Sequence, residues 1–247
     1  MSCELMHATV SLLGLPGSGK QRLKQALVEQ LGCKPENIHP SSDILPSDRS
    51  EDFDQTWCVI DVRSGLQSNH DPLAVKQLES LVSAADGVVF NFMEASELDD
   101  QLFWGRWVKQ RYPDKPIMRF LNRQIPKGWC GFEAVADKTE KPAAFSALAA
   151  SDKALQSFKF DVGRVCLDHL LMGLDNSRQN LGMQIWRVQA VVDTVEYENR
   201  VAVEATPFRW DTFAAIPEAE SGWIKIEGID LNEAWLKEII QASMLVS

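Results

Sequence analysis

Near the start of the chain, Gly14-Leu15-Pro16-Gly17-Ser18-Gly19-Lys20 has the residue types and spacing to hold a phosphate group. Glycines let the backbone wrap so that successive N–H groups face an anion, and a helix opening at Lys20 adds the partial positive charge of its N-terminus. Lys20 itself is a point charge for the outer phosphates. Loops of this kind place Ser or Thr after the lysine, where the hydroxyl ligates Mg²⁺; this chain has Gln21, then Arg22. An amide oxygen can coordinate Mg²⁺ only from a different position, so nucleotide binding is compatible with the sequence while metal-assisted hydrolysis is disfavoured.

Two further positions bear on the same chemistry. Asp61 ends the apolar run Trp57-Cys-Val-Ile-Asp61, where a carboxylate beside a phosphate loop holds Mg²⁺ directly or through water; a strand-terminal Asp that caps a turn has the same signature. Asn122 and Arg123 follow the run Pro116–Leu121, where guanine-binding proteins carry Asn-Lys-x-Asp. Ile125 stands at the place of the aspartate, and an aliphatic group accepts no hydrogen bond from guanine. The candidate ligand-binding set is thus Gly14, Pro16, Gly17, Ser18, Gly19, Lys20, Gln21, Asn122 and Arg123, with Asp61 as candidate Mg²⁺ ligand.

The elements that must position these groups are legible as hydrophobic periodicity. Ala8–Leu13 is a short β-prone run, and Leu23, Leu27 and Leu31 recur at helical spacing up to Gly32. Residues 33–56, rich in Pro, Ser and Asp, read as a loop. Strands at 57–61, 86–91 and 116–121 alternate with helices at 72–84 and 97–111, which predicts a parallel sheet with helices on both faces. After about residue 150 the pattern changes: a helix over 160–174, strands at 184–192, 200–205 and 223–227, and an amphipathic helix over 232–244. The expected architecture is an α/β phosphate-loop domain over residues 1–150 and a small α+β domain with an antiparallel sheet over 151–247.

Composition narrows the class. The 247 residues are 45% hydrophobic and 24% charged, enough for a real core, and the net charge of −10 with scattered Lys and Arg argues against a nucleic-acid partner. The five cysteines form no CxxC pair, which suits reduced thiols in a cytoplasm. No apolar run reaches the about 18 residues of a membrane span.

Taken together, the phosphate loop, Ser64-Gly65-Leu66, Asp86-Gly87-Val88-Val89 and Leu121-Asn122-Arg123 resemble the ordered motifs of the CobW-like P-loop GTPases, a family associated with metal insertion. Ile185-Trp-Arg-Val-Gln and the closing Trp223–Asn232 segment are similar to that family's second domain. The resemblance implies a protein that binds GTP or another nucleoside triphosphate, with Mg²⁺ and slow or partner-dependent hydrolysis, and an unidentified protein partner. The alternative is a pseudo-GTPase that serves as an interaction module around a residual phosphate loop. The family's Cys-x-Cys-Cys metal motif is missing; Cys33, Cys58, His39 and His70 are poor substitutes, so no metal site is expected.

Overall fold

A computed structural model describes residues 4–41, 53–65, 72–133 and 155–245. The chain divides into two compact units, Met1–Asp152 and Lys153–Ser247. Among the described residues no helix is long and apolar enough to cross a membrane.

The first unit is a five-stranded, all-parallel sheet in the order β2-β1-β3-β4-β5. Its strands are β1 (Val10–Leu13), β2 (Ile38–Pro40), β3 (Gln55–Asp61), β4 (Gly87–Asn91) and β5 (Ile117–Arg119). Helices α1 (Lys20–Leu31), α2 (Pro72–Ala84) and α3 (Leu98–Arg111) connect and flank them. β1, β4 and the middle of β3 are buried on both faces, as parallel strands under helices must be, which explains their unbroken apolar runs. Leu23, Ala26 and Leu27 of α1 pack with Val10, Leu12, Trp57, Val59, Val89 and Phe120 in one core. One expectation is corrected. Residues 33–56 are not a plain loop: Ile38–Pro40 pairs in parallel with β1, and β3 already begins at Gln55. β2 is three residues long and buries only Ile38, too little for a periodic signal.

The second unit is a five-stranded antiparallel sheet, ordered β6-β10-β7-β8-β9. It comprises β6 (Gln156–Asp161), β7 (Gln184–Val192), β8 (Val201–Thr206), β9 (Arg209–Ala214) and β10 (Trp223–Ile229), with helices α4 (Leu167–Asn180) and α5 (Glu233–Ser243). Leu170, Leu174, Leu236 and Ile240 of the helices bury against Val188, Val203, Ile224 and Ile226 of the sheet. The expected helix over 160–174 is a second correction: Phe160 belongs to β6, and the helix starts at Leu167. Pairing steps from Glu227↔Arg187 to Gly228↔Ile185, which leaves Trp186 as the bulged residue of β7. Gly228 is required opposite it, because a Cβ there would lie 2.0 Å from the Gln184 carbonyl oxygen.

Fully buried Leu23 joins α1, and so the phosphate loop, to the sheet. Leu23→Ala should therefore destabilise the first unit by roughly 2–5 kcal/mol. Urea unfolding followed by tryptophan fluorescence would measure it, and a loss below about 1 kcal/mol would show that α1 does not depend on this contact.

Candidate functional site

The loop between β1 and α1 is shaped by two left-handed glycines, Gly17 at φ 82° and Gly19 at φ 83°. Only glycine takes this path without strain, and at Gly19 it is also the only residue that fits: a Cβ would lie 2.2 Å from Asn91 Nδ2. Gly19 is the N-cap of α1, and no side chain caps that terminus. The first turn has no acidic residue and instead carries Lys20 and Arg22, the reverse of what a helix dipole favours. Such a terminus is stabilised by an external anion. Lys20 folds back over the loop, donating from Nζ to the carbonyls of Gly14 (2.7 Å) and Leu15 (3.1 Å). The Ser18 hydroxyl is buried and has no hydrogen-bond partner among the described residues. Pro16 and Gly17 are half-buried at the bend, and Gln21 is exposed on the helix surface.

The end of β4 holds this loop in place. Asn91 is fully buried; its Nδ2 donates to the carbonyls of Ser18 (3.0 Å) and Gly19 (3.3 Å), and its Oδ1 accepts from the Phe92 N–H (2.8 Å). Phe92 takes the left-handed conformation, φ 61°, at a cost of roughly 1–3 kcal/mol for a bulky residue. That conformation lays its ring against Gly19. The Arg63 guanidinium centre stands 3.6 Å from the ring centroid and that of Arg22 4.7 Å. None of Asn91, Phe92 and Arg63 carries a motif, so periodicity alone passes over them.

Asp61 lies at the end of β3, beside the loop-bearing β1, and the structure couples it to Arg63. Asp61 Oδ1 accepts from the Arg63 backbone N–H (3.0 Å) and Nε (2.9 Å), and Oδ2 accepts from Nη2 (2.6 Å). Both side chains are about 15% exposed, at 14% and 15%. Behind them, Trp104 Nε1 donates to the Ser64 carbonyl (2.9 Å) and the Gly65 N–H to Asp100 Oδ1 (2.6 Å), so α3 fixes the turn that follows β3. Leu66 and His70 lie outside the described residues. This donor set does not fit Mg²⁺. The ion wants oxygen ligands at about 2.0–2.1 Å in octahedral array, whereas Asp61 is closed by a fork of N–H donors and Gln21 offers only an exposed amide.

Asn122 and Arg123, at φ 50° and 59°, are the two central residues of a tight turn closed by Gln124 N–H to the Leu121 carbonyl (2.8 Å). The turn is strapped to α1: Gln30 Nε2 donates to the Arg123 carbonyl (2.5 Å), Gln30 Oε1 accepts from Ile125 N–H (2.9 Å), and Arg123 Nη2 donates to Gln25 (2.7 Å). Ile125 is buried among Leu23, Leu27 and Phe120. Glu94 links the turn to the phosphate loop, because its carboxylate pairs with Arg22 and accepts from Asn122 N–H (3.1 Å). Partial burial pushes the Glu94 carboxyl up, but the bonds from Arg22, its own backbone and Asn122, with the Arg22 charge, outweigh that and hold it below its usual range. Cys58 is sealed inside β3, where burial pushes its thiol up to about 12 against the opposing charges of Lys20 and Lys115. Cys33 is likewise buried, and His39 packs against Phe53 with the rings tilted at 56° and their centroids 5.0 Å apart. Among the described residues no three His, Cys, Asp or Glu side chains converge as a metal site.

These features define a class: a P-loop-type α/β unit joined in sequence to an α+β unit with an antiparallel sheet. No family model matches the chain, and no curated protein does. Among solved structures it is similar to Zn(II)-bound YjiA GTPase from E. coli, at 12% identity and TM-score 0.36, over 96% of this chain and 99% of that one. It is also similar to a Zn(II)-bound triple mutant of YjiA GTPase, at 14% identity and TM-score 0.32, over 78% of this chain; it spans only 61% of that one.

Because the folded-state carboxyl of Glu94 is held low, its contribution to stability is present above the unfolded value near 4.5 and is lost as pH falls through the lower folded value. The stability difference between wild type and Glu94→Gln should therefore shrink as pH is lowered from about 6 to about 3. Chemical denaturation across that range would read it; a pH-independent difference would remove the Arg22–Glu94–Asn122 linkage.

Proposed function

We propose that the protein is a nucleotide-binding member of the CobW-like P-loop GTPase type, holding the phosphates of a nucleoside di- or triphosphate in the Gly14–Lys20 loop and turning them over slowly at most. One observation carries the reading. The left-handed glycines, the ammonium of Lys20 folded onto the loop, the buried unpartnered Ser18 hydroxyl and the uncapped, acid-free start of α1 form one anion-shaped terminus. The motif order noted in the sequence supports the family assignment, and the Asp61–Arg63 fork supports slow chemistry, since the carboxylate that would hold a catalytic ion is occupied. The same fork is compatible with the second reading, a pseudo-GTPase that serves as a protein-interaction module around a residual phosphate loop.

Base selectivity follows from the turn at 122–125. With Ile125 in the core, no carboxylate from that position faces a guanine edge, so GTP and ATP should differ in affinity by less than about a hundredfold. Lys20→Ala should weaken binding of either by about tenfold or more, a charge-assisted contact being worth roughly 1.5–3 kcal/mol. Calorimetric titration of the purified chain with GTP, GDP and ATP measures both, and unchanged affinity in a folded Lys20→Ala variant would sink the phosphate-loop reading. Single-turnover assays should give hydrolysis no faster than about 10⁻⁴ to 10⁻³ s⁻¹. Unassisted turnover near ~1 s⁻¹, within the range of efficient phosphoryl-transfer enzymes, would refute the slow chemistry.

A further inference from the structure

The carboxylate and the guanidinium at the end of β3 are two residues apart, Asp61 and Arg63, and the chain closes them onto each other. Both carboxylate oxygens are engaged, through Nε at 2.9 and 3.1 Å and Nη2 at 2.6 Å, with the Arg63 backbone N–H adding a bond at 3.0 Å. The flat face of the guanidinium rests on Phe92, 3.6 Å from the ring centroid, and the far part of that ring touches Gly19: a Cβ there would lie 2.8 Å from Phe92 Cε2. The charge of Arg63 is thereby fixed one aromatic ring away from the backbone of the phosphate loop. The remaining nitrogen, Nη1, makes no hydrogen bond among the described residues. Arg22 packs on the same ring at 4.7 Å, and its Nε is buried with no hydrogen-bond partner among the described residues.

We propose that Arg63 is the resident cation of this site, taking the place of Mg²⁺, and that the loop therefore binds phosphoanhydrides such as nucleoside diphosphates or pyrophosphate in metal-free form. The inference rests on the phosphate-loop reading and goes beyond it by naming the ionic form of the ligand. Asp61 acts as the positioning residue that orients the guanidinium, and Phe92 supports it from below. A guanidinium is planar, weakly hydrated and matched to pairs of phosphate oxygens, so it neutralises a diphosphate without the rigid octahedral shell that Mg²⁺ demands. For Mg²⁺ to use Asp61, a part-buried charged fork would first have to open, and the freed guanidinium would compete with the ion for the same phosphates.

Calorimetry with GDP and with inorganic pyrophosphate, each in EDTA and in millimolar Mg²⁺, tests this on the full chain. Wild-type affinity should differ by less than about threefold between the two buffers, and Arg63→Gln should lower affinity in EDTA by about tenfold or more, as loss of a charge-assisted contact does. Arg63→Lys, which keeps the charge but not the fork, should fall between them, and melting curves identify any variant that fails to fold. Mn²⁺ paramagnetic resonance gives a second readout: no bound ion with wild type and GDP, and a bound ion once Arg63→Gln frees Asp61. Wild-type binding that collapses in EDTA yet still depends on Lys20 would overturn the resident-cation inference and leave the phosphate-loop reading standing. Full metal-free affinity in folded Arg63→Gln would do the same. Failure of both ligands to bind in either buffer would remove the phosphate-loop reading and this inference with it.

Discussion

A single buried amide organises the site. Asn91 sits at the end of β4 with no exposed surface, and it satisfies two carbonyls of the phosphate loop while capping the strained residue that follows it. Through its own backbone carbonyl it also accepts from Val62 N–H at the end of β3. Leaving such groups unpaired inside a protein costs roughly 1–3 kcal/mol each, so the three segments are bound to one geometry. The left-handed Phe92, the approach of its ring to Gly19 and the seat for Arg63 all follow from where that amide is held. Gly19 is the counterpart of Asn91: any side chain there would collide with the amide, so Gly19 cannot change while Asn91 stays in place.

Around this clamp the charges are arranged to leave one kind of demand unmet. Asp61 is neutralised by Arg63 and Glu94 by Arg22, so the carboxylates nearest the loop are both closed. At the start of α1 the helix dipole is met by no acidic side chain of its own first turn, and Lys20 is bonded to the loop carbonyls of Gly14 and Leu15. In an otherwise acidic chain with scattered cations, Lys20, Arg22 and Arg63 stand close to this one helix N-terminus.

How much of this was legible before the structure depended on whether the signal was local. The buried runs of β1, β3 and β4 and the four-residue spacing in α1 are periodic in sequence, and the glycine loop between them has a fixed spacing, so fold class and loop were both readable. Phe160 was misread because β6 alternates only weakly, with half-buried and exposed residues taking turns, and its apolar residues abut those of α4. β9 went unread because its outer half is exposed and its polar and aromatic residues follow no apolar alternation. Asn91, Arg63 and Glu94 were silent for a deeper reason: each acts across a tertiary contact of an ordinary residue, and no spacing within a strand reports what lies across from it.

The turn at 122–125 illustrates the same limit from the opposite side, because its sequence likeness to a base-recognition loop is plain and its geometry leads elsewhere. Asn122 and Arg123 spend their left-handed conformations on reversing the chain, and Gln30 and Gln25 tie the reversal to α1. Ile125 then enters the core that also contains Leu23 and Phe120. An aspartate at 125 would place a carboxylate in a largely aliphatic and aromatic core, where ionisation is opposed by desolvation. Position 125 is a packing position, part of the core that also contains Leu23, Ala26 and Leu27 of the helix opening at the glycine loop.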